Sequence, residues 1–262
     1  MIKKTLIALL AIGSTLAMNT RADLIDNFDS YTSQAQFEAV WTDSTGTGLT
    51  LNTAEFDSSP NSVKNPGTAA QASRQFFSPI NASSISISYD FYDYDAGNGA
   101  RDFLQVQARS GTEFTGGLAN LLAIGKYNTI SGTKYYGRVS TATGAVYGDG
   151  AGTPVSTWFQ LSASSPDKSV GWHSATILGM DSTAFSGKVR YEFYIDGILG
   201  ASVDNLNAVD YNWAVLGSGL STAPSGIAFD NVAIIQVVPE PSAAALALLG
   251  GFGLLVARMR RQ

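Results

Sequence analysis

Residues 85–92, ISISYDFY, alternate without a break: Ile85, Ile87, Tyr89 and Phe91 fall on one side, Ser86, Ser88, Asp90 and Tyr92 on the other. A period of two turns successive side chains to opposite faces of a strand, so one face meets a core and the other meets water or a groove. The central part of the chain carries no long segment with the helical period. Short apolar runs at 103–108, 118–127, 134–139, 155–161, 189–195 and 226–237 are instead punctuated by turn residues, among them Asp57-Ser58-Ser59-Pro60-Asn61 and Gly116-Gly117. Residues 36–41 fit a helical turn or a strand equally well. Asp196-Gly197 between two hydrophobic runs predicts a hairpin, because a type I′ turn needs positive φ at both positions. Many short strands and frequent Gly and Ser turns predict an all-β fold, a two-sheet antiparallel β-sandwich of jelly-roll type, filling residues 23–238 as one domain.

The two ends read differently. Lys3-Lys4, an apolar run over 6–16 and Thr20-Arg21-Ala22 make a signal peptide over 1–22, a short helix cut after Ala22. At the other end, Pro239-Glu240-Pro241 stops the last strand by fixing φ and removing donors. An uncharged apolar run over 242–257 follows, then Arg258, Arg260 and Arg261. As a helix the run is roughly 24 Å long against a hydrocarbon layer of ~30 Å, and snorkelling arginines close the gap. Arginines beyond a span stay cytoplasmic and leave the preceding chain outside.

This order of parts resembles the PEP-CTERM sorting signal of exported proteins in Gram-negative bacteria that make exopolysaccharide. The resemblance rests on Val238-Pro239-Glu240-Pro241, the Ala/Leu/Gly span and the terminal arginines, and covers the tail over 239–262. It implies processing by an exosortase after signal peptidase has removed the leader, transient anchoring in the inner membrane, and a destination in the envelope, cell surface or extracellular matrix. A plain C-terminal membrane anchor is the other reading of the same residues.

The net charge of −5 understates the acidity of the body, because six of the 16 basic residues (Lys3, Lys4, Arg21, Arg258, Arg260, Arg261) lie in the two ends. Such a surface repels phosphate backbones, which argues against nucleic acid as a partner and asks an acidic polysaccharide for a bridging cation. With no cysteine in the chain, thiolate zinc sites, iron–sulfur clusters and cysteine nucleophiles are excluded. The single histidine, His173, leaves Ser-His-Asp chemistry only if that residue serves, and no Gly-x-Ser-x-Gly elbow accompanies it.

From Trp172-His173 through the aromatic strand that ends in Asp196-Gly197, the chain is similar to laminin G-like and concanavalin A-like lectin and glucanase domains. That resemblance implies a closing strand over 226–237 beside the first strand, and a carboxylate trio if the protein were a glucanase. Here Glu55 and Asp57 are followed by Pro60 where the third carboxylate belongs, so the trio is broken. Glu55 and Asp57 read as solvated loop acids. Asp93, Asp95 and Asn98 offer oxygen ligands in a loop but lack the glutamate of an EF-hand; a solvated loop is the other reading. Asp26, Asp29 and Asp230 are candidates for a structural calcium where the chain ends meet; an exposed cap and a local bulge are the alternative.

Tyr92 and Tyr94 are the candidate sugar-stacking residues, since sugar rings offer C–H faces to exposed aromatics. Tyr135-Tyr136, Tyr147, Trp158 and Trp213 stand beside loops, while Trp172 and Phe193 are expected in the core and His173 at the surface. The expectation is therefore an exported structural or adhesive β-sandwich, not an enzyme, needing no cofactor. The alternative is a lectin-like polysaccharide-binding module, calcium-dependent or not, with exopolysaccharide as its partner; a glycan hydrolase is the third reading.

Overall fold

The computed structural model describes residues 24–237 apart from 44–47, 59, 66–71, 98, 112–115, 129–131, 142–144, 148–153, 156–157 and 219–225. The leader, the tail with Pro239, Glu240, Pro241, Arg258, Arg260 and Arg261, Asn98 and the side chain of Tyr147 lie outside the described residues.

In chain order the strands are β1 (Leu24–Asp26), β2 (Thr42–Asp43), β3 (Thr50–Asn52), β4 (Ser62–Lys64), β5 (Ala72–Ile80), β6 (Ile85–Asp93), β7 (Phe103–Arg109) and β8 (Leu118–Gly125). Then come β9 (Tyr136–Thr141), β10 (Ala145–Tyr147), β11 (Phe159–Gln160), β12 (Gly171–Asp181), β13 (Val189–Ile195), β14 (Ile198–Asn205), β15 (Tyr211–Gly217) and β16 (Ile227–Gln236). The open choice at 36–41 resolves as a helix, α1 (Gln34–Val40), capped by the Ser33 side chain and burying Phe37.

The strands form two antiparallel sheets. A nine-stranded sheet runs β10-β14-β13-β12-β6-β16-β4-β3 with β1 on β16, and a seven-stranded sheet runs β11-β9-β8-β7-β15-β5-β2. The predicted sandwich is therefore the fold, and the closing strand does pair with the first, Ile25 opposite Ala233. Among the described residues no helix is long and apolar enough to cross a membrane. Several strands were not foreseen, β5 and β15 the longest among them. Pro79 near the end of β5 hides a nine-residue strand, and β15 places Trp213 within the seven-stranded sheet instead of beside a loop.

Alternation decides what each face does. Ile85, Ile87, Tyr89 and Phe91 of β6 enter the inter-sheet core with Ala175 and Ile177 of β12 and Tyr191, Phe193 and Ile195 of β13. Across the gap stand Leu104, Val106, Leu122, Ile124 and Val139. Phe159 meets Phe193 edge-on at 5.2 Å, and the Tyr89 hydroxyl donates to the Ile124 carbonyl at 2.7 Å. Each such ring, fully buried, contributes about 1.5–3 kcal/mol. On β16 the core side changes from Ile227 and Phe229 to Val232 and Ile234 across an irregularity after Asp230, where Asn231 adopts φ 49°. That bulge also keeps Asp230 and Asn231 together over the outer face.

The outer face of the seven-stranded sheet holds a second apolar cluster of Phe103, Leu121, Ala123, Tyr136 and Trp158. Tyr127 stacks on Trp158 at 4.3 Å, with Arg101 4.8 Å from the Tyr127 ring centre and Arg138 5.4 Å from that of Trp158.

Candidate functional site

Tyr92 and Tyr94 lie on the outer face of the nine-stranded sheet, as the alternation of β6 requires. The antiparallel register sets Trp172 of β12 directly opposite Tyr92. The three rings make one line: Tyr94 to Tyr92 at 5.0 Å and Tyr92 to Trp172 at 5.6 Å, both edge-to-face. All three are half-buried. Trp172 is thus not in the core as expected; it faces outward and His173 faces inward. The parity of Ala175 and Ile177, both core residues on the same strand, would have assigned it correctly.

Hydrogen-bonding groups surround this line. The Tyr94 hydroxyl donates to Glu55 Oε2 at 2.9 Å, Asn52 Nδ2 donates to the same oxygen at 3.1 Å, and Lys64 stands 3.7 Å away. The Tyr94 bond above all holds the Glu55 carboxyl below its ordinary range. One register step along the sheet, Asp90 lies opposite both Ser174 and Asp230. Asn231 Nδ2 donates to Asp90 Oδ2 at 2.9 Å and reaches Asp57 Oδ2 at 3.4 Å, so a single amide spans two carboxylates. Burial pushes the Asp90 carboxyl up, and the charges of Asp57 and Asp196 add to that. Glu55 and Asp57 lie in a loop as expected, Asp57 exposed, and both border this surface.

The three acids nominated for calcium do not form one ligand set. Asp26 Oδ2 accepts from the Tyr31 hydroxyl (2.5 Å) and Trp41 Nε1 (2.8 Å), while Oδ1 accepts from Phe28 N–H (2.8 Å), so its carboxylate is engaged beneath β1. Asp29 accepts from Asn61 N–H and Asn27 Nδ2. Asp230 Oδ2 accepts from the N–H groups of Asp57 (2.9 Å) and Ser58 (3.0 Å), and Oδ1 from that of Asn231 (2.7 Å). Burial, with the Asp29 charge added, raises Asp230 to about 6 in spite of these donors. The acids tie the chain ends together by accepting N–H and O–H groups, which sequence spacing alone does not distinguish from metal ligation. Among the described residues no three His, Asp or Glu side chains converge on a point where a metal ion could sit.

Asp93 is not a solvated loop acid. It ends β6 facing inward, wholly buried, with Oδ1 2.6 Å from Lys126 Nζ and Oδ2 accepting from the Tyr135 hydroxyl at 3.0 Å. Lys126 also donates to the Asp95 carbonyl. Tyr135, Tyr136, Trp158 and Trp213 are buried, and Phe193 is in the core as expected.

No protein-family model matches this chain, and no curated protein does. Solved structures do. An endo-β-galactosidase from Clostridium perfringens that releases GlcNAcα1-4Gal matches with a TM-score of 0.50 at 11% identity, over 82% of this chain and 62% of that one. A carbohydrate esterase of the Shiga toxin-encoding bacteriophage phi24B matches at 0.49 and 12%, over 83% and 98%. The exoplasmic/lumenal domain of VIP36 in its Ca2+-bound form matches at 0.47 and 13%, over 84% and 92%. At such identities the likeness concerns the fold alone, a two-sheet antiparallel β-sandwich. It corrects one expectation: the broken carboxylate trio does not make this chain a non-enzyme, because glycan-processing enzymes are built on the same sandwich.

Proposed function

We propose that this protein is an exported β-sandwich that binds polysaccharide through the outer face of its nine-stranded sheet. The observation that carries the reading is the Tyr94–Tyr92–Trp172 line, three half-exposed rings with Glu55, Lys64, Asp90, Asn231 and Ser174 beside them. Aromatic faces take the apolar side of a sugar ring, and flanking carboxylate and amide groups fix its hydroxyls. Export is supported by the Lys3-Lys4 leader. The Pro239-Glu240-Pro241 tail with Arg258, Arg260 and Arg261 supports exosortase sorting to the cell surface or an exopolysaccharide matrix.

The purified chain on a glycan array, with and without calcium, tests the binding. Saturable binding to at least one polysaccharide is expected, weakened tenfold or more by Tyr92→Ala or Trp172→Ala with the unfolding midpoint largely kept. Binding that both substitutions leave unchanged would overturn the assignment of this face. Sorting is tested separately: Pro239→Ala with Glu240→Ala should leave an unprocessed, inner-membrane form of higher mass in an exosortase-bearing host.

A further inference from the structure

The single histidine has more partners than a structural residue needs. Its ring is wedged between Phe91 and Tyr135, 5.5 Å from each, and the side chain is only 9% exposed. Nδ1 lies 2.8 Å from Asp196 Oδ2, and Nε2 lies 3.1 Å from Ser169 Oγ. Ser169 itself is exposed. Asp196 occupies the first position of the hairpin turn at φ 51°, and its N–H donates to the Ser174 carbonyl at 2.8 Å. Its Oδ1 accepts from Ser174 N–H at 2.9 Å, which leaves Oδ2 aimed at the imidazole. An ionised carboxylate only accepts, so Nδ1–H donates to Asp196; Nε2 lies between the Ser169 hydroxyl and the Ser169 carbonyl, and in the neutral ring its lone pair accepts from the hydroxyl. Hydroxyl on Nε2 and carboxylate on Nδ1 is the order of nucleophile, base and orienting acid in acyl transfer.

We propose that Ser169, His173 and Asp196 form a triad that hydrolyses esters, with O-acylated sugars as the substrate class. The acyl chemistry stands on the triad geometry; the sugar half rests on the glycan-binding reading above. That half follows from position: His173 itself faces inward, but its partner Asp196 is exposed and its charge acts on Asp90 of the outer face, where sugar would lie. The Ser169 oxygen attacks the ester carbonyl while Nε2 takes the hydroxyl proton. Collapse of the tetrahedral adduct breaks the acyl–oxygen bond, and the departing sugar alkoxide takes that proton from Nε2. Water then attacks the acyl-serine, again losing a proton to Nε2, and the carboxylic acid leaves as Ser169 recovers its proton. The Ser169 carbonyl, 3.0 Å from Nε2, accepts from the doubly protonated ring between these transfers. The Ser169 N–H donates to the Tyr135 hydroxyl at 3.4 Å, making Tyr135 a positioning residue.

The test uses the full chain with a fluorophosphonate probe and peptide mass spectrometry, alongside acetate release from an O-acetylated polysaccharide. Covalent labelling at Ser169 is expected, with loss of label and of acetate release in Ser169→Ala. Asp196→Asn keeps an Asn-Gly turn and the oxygen for Ser174 N–H, yet presents the wrong partner to Nδ1. It should fold normally and slow labelling by ~10²–10⁴-fold. Ser169 labelled no faster than other exposed serines, or acetate release unchanged in Ser169→Ala, overturns the triad. Labelling that persists while no glycan binds would sink the sugar assignment and leave the triad standing.

Discussion

Asp102 is wholly buried, with a carboxylate oxygen accepting from Gly226 N–H at 2.7 Å. Burial pushes its carboxyl up to about 8, although the Gly226 N–H and the charge of Lys126 pull the opposite way. A carboxyl raised in the folded state binds its proton more tightly there than when unfolded. Its contribution to stability is full below the unfolded value near 4 and disappears as pH rises towards 8. Asp102→Asn keeps the acceptor for Gly226, so urea midpoints should fall less between pH 4 and 8, and the variant should exceed the parent at pH 8.5. Asp93 and Lys126 form a buried ion pair at 2.6 Å. Lys126→Ala strands a buried carboxylate and should cost about 3–5 kcal/mol by chemical denaturation. Replacing both partners by apolar residues of similar size should cost less than that single change.

The β13–β14 hairpin and the β12 crossing show what backbone geometry asks of single positions within an element. Gly197 sits at φ 73° with open space around it, so a methyl group there meets no neighbour and only the backbone objects. Gly197→Ala should cost ~1 kcal/mol in thermal unfolding. Gly179 lies in β12, where an added Cβ would stand 2.1 Å from the Ala82 carbonyl oxygen. Gly179→Ala must push the short helical turn Ala82–Ser84 away from the sheet and should cost more, about 1–3 kcal/mol. If the two variants melt in the reverse order, the close approach of that turn to β12 is misjudged. The hairpin turn also carries Asp196, so the residue that lets the chain reverse is the one that orients His173.

At the scale of the whole molecule, two sheets share one core, and the rings that bridge them set its stability. Phe193 is completely buried, with Phe159 edge-on across the gap. Phe193→Ala should cost about 3–5 kcal/mol, read from the urea midpoint, because the cavity cannot collapse between two hydrogen-bonded sheets. Charge is distributed unevenly over this body. The nine-stranded sheet gathers Glu55, Asp57, Asp90 and Asp196 near the aromatic line, whereas Arg101 and Arg138 lie against Tyr127 and Trp158 on the other sheet. A net charge summed over the sequence conceals that separation, so the demand for a bridging cation with acidic polysaccharide holds for one face and not for the other.

What the amino-acid order determined by itself was local. The period of two in β6, the Asp-Gly turn and the run that becomes β16 were all legible, because side-chain parity and positive φ are properties of a few adjacent residues. Beyond the Asp-Gly hairpin and the closing strand beside the first, which the family resemblance implied, strand pairing was not legible. Tyr92 meets Trp172, and Asp90 meets Asp57 through Asn231, only because β6, β12 and β16 lie side by side. Asp26 and Asp93 offered oxygens whose partners the sequence could not name; folding supplies Trp41 and Lys126. Ser169 and His173 are four residues apart, yet Asp196 joins them only through the register of β12 with β13, which brings the hairpin turn back over the start of the strand. Contacts between residues distant in sequence depend on which faces bury together, and that choice belongs to the sandwich as a whole.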